Sequence, residues 1–310
     1  MNRTYCTLIF LTITINCFAQ QLRTSLLQYQ MNALALNPAY SSYVEASGFE
    51  ATYLGNFISQ GAISRSVLVN MQGATEKGGL GLTFNFYRNF QGEVNLRPSF
   101  SRRLMLENGG MMAFGLVIGL NYFDAPNDFF TDITDFVSAD GGFGVYYSRD
   151  RFFAGISVLS LLEKTAGLDP SAPGPERENP YNFHAGGLFD LTNDIMLKPV
   201  ILARYINTYV LPDVSFQNVD SAFSLDLQLN AIIEGSYMVG ILYGFTDSDI
   251  RNGLQRFGIS ATYMLDQFRL TYAFQNNNET NNSVSLPVTH LISAGYDIGG
   301  SELETPRRFF

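Results

Sequence analysis

Gly110-Met111-Met112-Ala113-Phe114-Gly115-Leu116-Val117-Ile118-Gly119-Leu120-Asn121-Tyr122-Phe123 sorts into two faces when every second residue is taken. One parity holds Met112, Phe114, Leu116, Ile118, Leu120 and Tyr122; the other holds Ala113, Gly115, Val117, Gly119 and Asn121. Successive side chains of a strand point to opposite sides, so this segment has one bulky apolar face and one small or polar face. Gly78–Asn89 repeats the pattern, with Leu80, Leu82, Phe84 and Phe86 set against Gly79, Gly81, Thr83 and Asn85. A water-soluble sandwich would carry charge on its outward face. A membrane barrel turns the bulky face to lipid and leaves the small face for a wet or tightly filled lumen.

Composition agrees. The chain is 46% hydrophobic and only 15% charged, where a soluble domain has roughly 25% charged residues. Apolar residues approach the length of a membrane-crossing helix only at the extreme N-terminus. There, Arg3, the apolar run Leu8 to Ile15 and the small residue Ala19 read as a secretory signal cleaved before Gln20. A lipoprotein signal using Cys17 fits poorly, because Asn16 precedes it directly and Thr14 stands three residues before it. Both cysteines, Cys6 and Cys17, fall inside this segment, so the mature chain has no disulfide or thiolate metal site. Without Arg3 the remaining 18 basic and 28 acidic residues leave a net charge of −10, which argues against nucleic acid as a partner.

About fourteen strand-length segments follow, starting near Val44, Ile63, Gly78, Gly92, Gly110, Gly141, Arg151, Tyr181, Leu197, Ser221, Glu234, Arg251, Asp266 and Val288. Their connections alternate in length. Glu107-Asn108-Gly109, Ser148-Arg149-Asp150, Thr192-Asn193-Asp194, Glu234-Gly235 and Leu265-Asp266-Gln267 are tight, while Asp124–Asp140, Ser160–Pro180, Asn207–Asp220 and Asn276–Pro287 are long. Short turns at one end and long loops at the other are the habit of outer-membrane barrels, and an even strand count puts both termini on the periplasmic side. The expected fold is therefore a transmembrane antiparallel outer-membrane β-barrel of about 14 strands over residues 43–300. Residues 1–19 form the signal peptide and 301–310 a periplasmic tail. Residues 20–42 carry Leu26, Leu27, Tyr29, Met31, Leu34 and Leu36, too many apolar groups for a disordered tail. This segment is expected to pack in the lumen or under its periplasmic mouth.

Gln28-Tyr29-Gln30-Met31-Asn32-Ala33-Leu34-Ala35-Leu36-Asn37-Pro38-Ala39-Tyr40 closely resembles the mature N-terminus of the PorP/SprF family. These are outer-membrane proteins of the type IX secretion system of Bacteroidetes. Gly119-Leu120-Asn121-Tyr122-Phe123-Asp124, the hairpin Gly142–Tyr147 with Phe153–Ser157, Leu197-Lys198-Pro199, Phe223–Leu227, His290 with Gly295-Tyr296-Asp297, and the terminal Pro306-Arg307-Arg308-Phe309-Phe310 are similar to family segments in the expected order. The chain departs from the family in having no Trp, in reading Gly61-Ala62-Ile63 in the first hairpin, in carrying Ala33 for a proline, and in placing Ser41-Ser42 after Tyr40. The resemblance implies a non-enzymatic barrel that binds a secreted surface protein, such as a large adhesin, through its C-terminal sorting domain. Other secretion components and outer-membrane lipid would be its further partners. The alternative is a passive channel or hydrophobic-solute transporter, for which a fourteen-strand barrel is wide enough.

No GxGxxG, P-loop, HExxH or GxSxG occurs, and the two histidines, His184 and His290, have no serine nucleophile in a recognisable setting. No catalytic residue, cofactor or metal is expected. Asp124, Asp128, Asp132, Asp135 and Asp140 crowd one external loop; a calcium site is conceivable there, but the spacing follows no EF-hand pattern and suits a solvated acidic loop. Phe129 and Phe130 among these carboxylates are candidate anchors for a protein partner, with Asp128 and Asp132 beside them. Asn37, Pro38 and Tyr40 are further candidates, although they can equally shape the turn into the first strand. Glu50, Glu93, Arg97, Arg103, Lys198, Arg204, Asp226, Arg256 and Arg269 fall on lumen parities. Mixed signs point to pairing across the lumen; a diffusion porin would show one dominant sign.

Overall fold

A computed structural model describes residues 33–42, 47–58, 61–75, 77–88, 92–124, 136–166, 177–209, 221–248, 254–279 and 288–298. The expected signal peptide, residues 20–32 and the C-terminal tail lie outside these, as do Asp128, Phe129, Phe130 and Asp132.

One antiparallel sheet contains β1 (Ser47–Ile58), β2 (Gly61–Thr75), β3 (Gly78–Arg88), β4 (Gly92–Met105), β5 (Met111–Asp124), β6 (Phe136–Arg149), β7 (Phe152–Ala166) and β8 (Arg177–Gly187). It continues through a two-residue β9 (Phe189–Asp190), then β10 (Ile195–Tyr209), β11 (Ser221–Ile233), β12 (Tyr237–Ser248), β13 (Leu254–Leu265), β14 (Phe268–Glu279) and β15 (Val288–Ile298). β9 apart, each strand pairs with the strands next to it in the chain, β8 with β10 across β9, and β1 pairs with β15 from Ser47↔Ile298 to Phe57↔Val288, which closes the barrel. Fourteen strands span, one in each expected segment. β9 continues β8 in the same register against β10. The ladder lapses beside Pro199, which has no amide hydrogen to give.

The two faces divide as the alternation requires. On β5, Leu116 and Ile118 are each 63% exposed, while Ala113 and Asn121 are buried. The exposed side is apolar around the barrel and gathers aromatic pairs near both margins: Tyr237–Tyr263 and Phe268–Tyr296 by the tight turns, Tyr181–Tyr205 and the ring group of Phe57, Phe274 and His290 by the loops. Such girdles mark the two membrane–water interfaces. At the tight end, Gly109, Asp150, Glu234, Gly235 and Asp266 have positive φ, which lets the chain reverse in two or three residues.

Two expectations need correction. Asp140 is not in the external loop: β6 begins at Phe136, and Ser138 and Asp140 face inward between the outward Val137 and Ala139. The acidic run had hidden this alternation. Likewise β7 runs on to Ala166 and β8 begins at Arg177, so the expected Ser160–Pro180 loop is shorter at both ends and Leu161 is an outward strand residue. A third boundary moves the other way. β12 starts at Tyr237 because Glu234 and Gly235 are spent on the turn.

Candidate functional site

The inner wall has a smooth strip where β3, β5, β6 and β7 present Gly79, Gly81, Gly115, Gly144 and Gly155. Into it fits the segment that precedes β1, a single helical turn (α1, Ala33–Leu36) followed by a 3-10 turn (Pro38–Ser42). A methyl group on Gly79 would strike the carbonyl of Ser41; on Gly115, the backbone of Pro38 and Ala39; on Gly144, the side chain of Asn37. Glycine is required here for close approach rather than for a turn. Leu36 and Ala39 join a cluster with Met111, Ala113, Tyr146 and Phe153 on the wall.

Polar groups fix the seat. The Asn37 amide donates to the carbonyl oxygens of Val145 (3.1 Å) and Ile156 (3.3 Å), and its Oδ1 accepts the Ala39 N–H at 3.0 Å. Ser157 donates to the Leu36 carbonyl at 2.5 Å, and the hydroxyls of Ser41 and Ser101 meet at 2.6 Å. Tyr40 stands edge-on to Tyr146, with ring centroids 5.8 Å apart. Burial pushes its phenol above the ordinary value, Arg269 opposes this, and Asp297 and Glu50 add to it, so Tyr40 is neutral near pH 7. Asn37 and Pro38 are buried and Tyr40 is half-buried, so the contacts of these three candidates here are made within the chain. Pro38 and the Asn37–Ala39 bond shape a turn, as anticipated, and the Asn37 amide fixes that turn to β6 and β7.

Elsewhere the inner wall carries ion pairs among its buried polar side chains. Asp226 takes Arg256 at 2.7 Å and Arg204 at 3.4 Å; Arg269 reaches Glu50 and Asp297, each at 3.3 Å; Arg97 reaches Asp140 at 3.0 Å. These pairs run along the wall between strands one or two apart, rather than across the lumen as the sequence suggested. Asp140 also accepts from Asn121 and Ser160, and Ser293 donates to Glu50 at 2.7 Å. Buried charges require this density of partners. Here too the small residues make room: a side chain at Gly119 would collide with Asp140, and one at Gly244 with Asp226. Asp140 and Asp297 were missed from sequence, the first for its place in an acidic run, the second for its place at a strand end.

His184 is buried and packed among the rings of Tyr146 and Phe153, a setting for a packed side chain and not for a base facing solvent. Among the described residues no group of three or more His, Cys, Asp or Glu could hold a metal ion.

Solved structures with the same architecture are outer-membrane barrels. The CymD monoaromatic hydrocarbon channel matches with a TM-score of 0.55 at 9% identity, over 86% of this chain and 92% of that one. A Pseudomonas aeruginosa FadL homologue gives 0.53 at 8% identity, over 84% and 92%. The deltaS2 mutant of the TodX monoaromatic hydrocarbon channel gives 0.50 at 10%, over 86% and 93%. At such identities the likeness is one of fold. No curated protein sequence matches the chain. The profile described as type IX secretion system membrane protein PorP/SprF matches residues 18–296. With nearly the whole barrel and its lumenal segment inside that match, the chain belongs to the PorP/SprF family of type IX secretion system membrane proteins.

Proposed function

We propose that this barrel is a non-enzymatic anchor of the outer membrane, which holds a secreted surface protein by its C-terminal sorting domain and works with the other type IX secretion components. The observation that carries the reading is family membership over residues 18–296. The lumenal segment and the paired wall charges support it. With Ala33–Ser42 seated on the wall and the inward charges paired, the interior suits a rigid support better than a conduit. In this reading residues 1–19 are removed on export, both termini face the periplasm, and the longer connections between strands face the cell exterior. The client is of the adhesin type, and gliding or attachment is the process served.

Loops present binding groups because they are exposed and free of the sheet's register. Phe129 and Phe130, flanked by Asp128 and Asp132, are the proposed anchors. The test is a crosslinked pull-down from cells, with surface immunostaining of the co-purified client. Phe129→Ala combined with Phe130→Ala should remove most client from the surface, since truncating anchor aromatics costs about 2 kcal/mol or more. Barrel assembly, read by heat-modifiable gel migration, should not change. Undiminished staining would remove this loop from the site, and a pull-down without any exported protein would remove the function.

A further inference from the structure

Arg65 and Arg88 open the pairing of β2 with β3, directly opposite one another, and both are exposed on the lipid-facing side. Side chains so placed have Cβ atoms about 4.5–5.5 Å apart, and like charges there repel. Among the described residues neither arginine has a carboxylate within ion-pair distance. Elsewhere at the barrel margin Arg149 meets Asp150 and Arg151 meets Asp190, and Arg102, which stands outward at the opposite margin, faces Gly78 and not a second arginine. The neighbouring Glu93 is buried in the lumen, and the outward Asp124 stands beyond Gly92, two strands from Arg88.

The level of the pair is defined on two sides. Along β3 the outward residues Leu80, Leu82, Phe84 and Phe86 form an apolar run that ends at Arg88. Across β1, Gly55 pairs with both Arg65 and His290, and His290 lies against Phe57 and Phe274 and accepts or donates a 2.8 Å bond with the Tyr272 hydroxyl. An aromatic girdle at the end of an apolar band marks the depth of lipid head groups. Two guanidinium forks side by side at that depth match the oxygens of a phosphate, and the phosphate would relieve their repulsion.

We propose that Arg65 and Arg88 form a seat for the phosphate of a lipid head group, at the loop end of the barrel. The seat is independent of client binding; only its assignment to the outer leaflet rests on the proposed orientation.

Native mass spectrometry of the purified full-length barrel tests this with four probes: lipid A bearing two phosphomonoesters, its dephosphorylated form, phosphatidylethanolamine and inorganic phosphate. Diphosphorylated lipid A should be retained in preference to the dephosphorylated form by roughly thirtyfold, from about fivefold per arginine near a charged lipid surface. Arg65→Gln with Arg88→Gln should abolish that preference while heat-modifiable migration stays normal. Arg102→Gln, outward at the opposite margin, should leave it intact. The comparison of the two lipid A forms needs only the unaltered protein, so a failure of the double variant to assemble does not remove the test. Equal retention of phosphorylated and dephosphorylated lipid would overturn the proposal. So would binding of inorganic phosphate as tight as that of lipid, which would mark a free-anion site, or a stronger preference for phosphatidylethanolamine.

Discussion

The hydroxyl of Ser41 lies 2.6 Å from that of Ser101, which ties the segment before the first strand to the wall on β4. The bond is short and buried, and the glycines on either side of β4 bring the two backbones close enough to make it. The segment is therefore held by the shape of the wall as much as by its own apolar side chains.

That dependence on shape can be measured. Gly115→Val combined with Gly144→Val should drive residues 33–42 off the wall, since overpacking a filled site costs about 1–3 kcal/mol per position. Limited proteolysis near Asn37 should become fast, and conductance in a planar bilayer should rise above that of the unaltered protein. Heat-modifiable migration should persist. Steady large conductance from the unaltered barrel would show that the segment does not block the lumen.

Asp226 is the shared partner of Arg204 and Arg256. Asp226→Asn leaves two arginines without their counter-charge in the wall, and breaking such a buried group typically costs about 3–5 kcal/mol. Thr246→Val, which removes a single 3.3 Å hydroxyl contact with Ser224 nearby, should cost only about 1 kcal/mol. Urea unfolding midpoints in detergent should rank the two in that order.

Depth in the bilayer should be legible along β5. Ile118→Arg, at mid-strand and 63% exposed, should cost about 2–4 kcal/mol, and Tyr122→Arg, close to the loop margin, about 0–1 kcal/mol. Refolding into vesicles gives both values; equal costs would refute the placement of the apolar band.

If the acidic loop meets the client, Asp128→Asn with Asp132→Asn should alter the salt dependence of binding more than its strength at physiological salt, because charges at the edge of an interface act chiefly on encounter. Client binding compared at low and high ionic strength decides this.

Period-two alternation made the barrel legible. The inward and outward sets of β3 and β5 fall where the sequence puts them, because a closed sheet with lipid outside leaves each strand one solution. The lumen was less legible. Gly119 and Asn230 look like roomy positions in a list of small and polar residues, yet Gly119 is covered by Asp140, and Asn230 is wholly buried beside Gly240. Occupancy of the lumen depends on which distant strands meet, and alternation carries no information about that. Asp140 shows the same limit from the other side: as one of five nearby aspartates it reads as loop, and only its register opposite Gly119 makes it a wall residue. Asn37 was anticipated in its local bond to Ala39, but not in its reach to Val145 and Ile156.

Closure joins Glu50 to Gly295, near the two ends of the barrel's stretch of chain, whereas the seat for residues 33–42 lies on strands β3 to β7. The seam is thus the most sequence-distant pairing in the wall, and pairings of that kind form late. The order of events follows. The seat is built by β3 to β7 without any contribution from the seam, so it is complete while the ring is still an open sheet. The segment can settle sideways onto it and need not thread through a finished pore. A circularly permuted chain that begins at β8 would lose this order, and would have to fill its own interior after the door had closed.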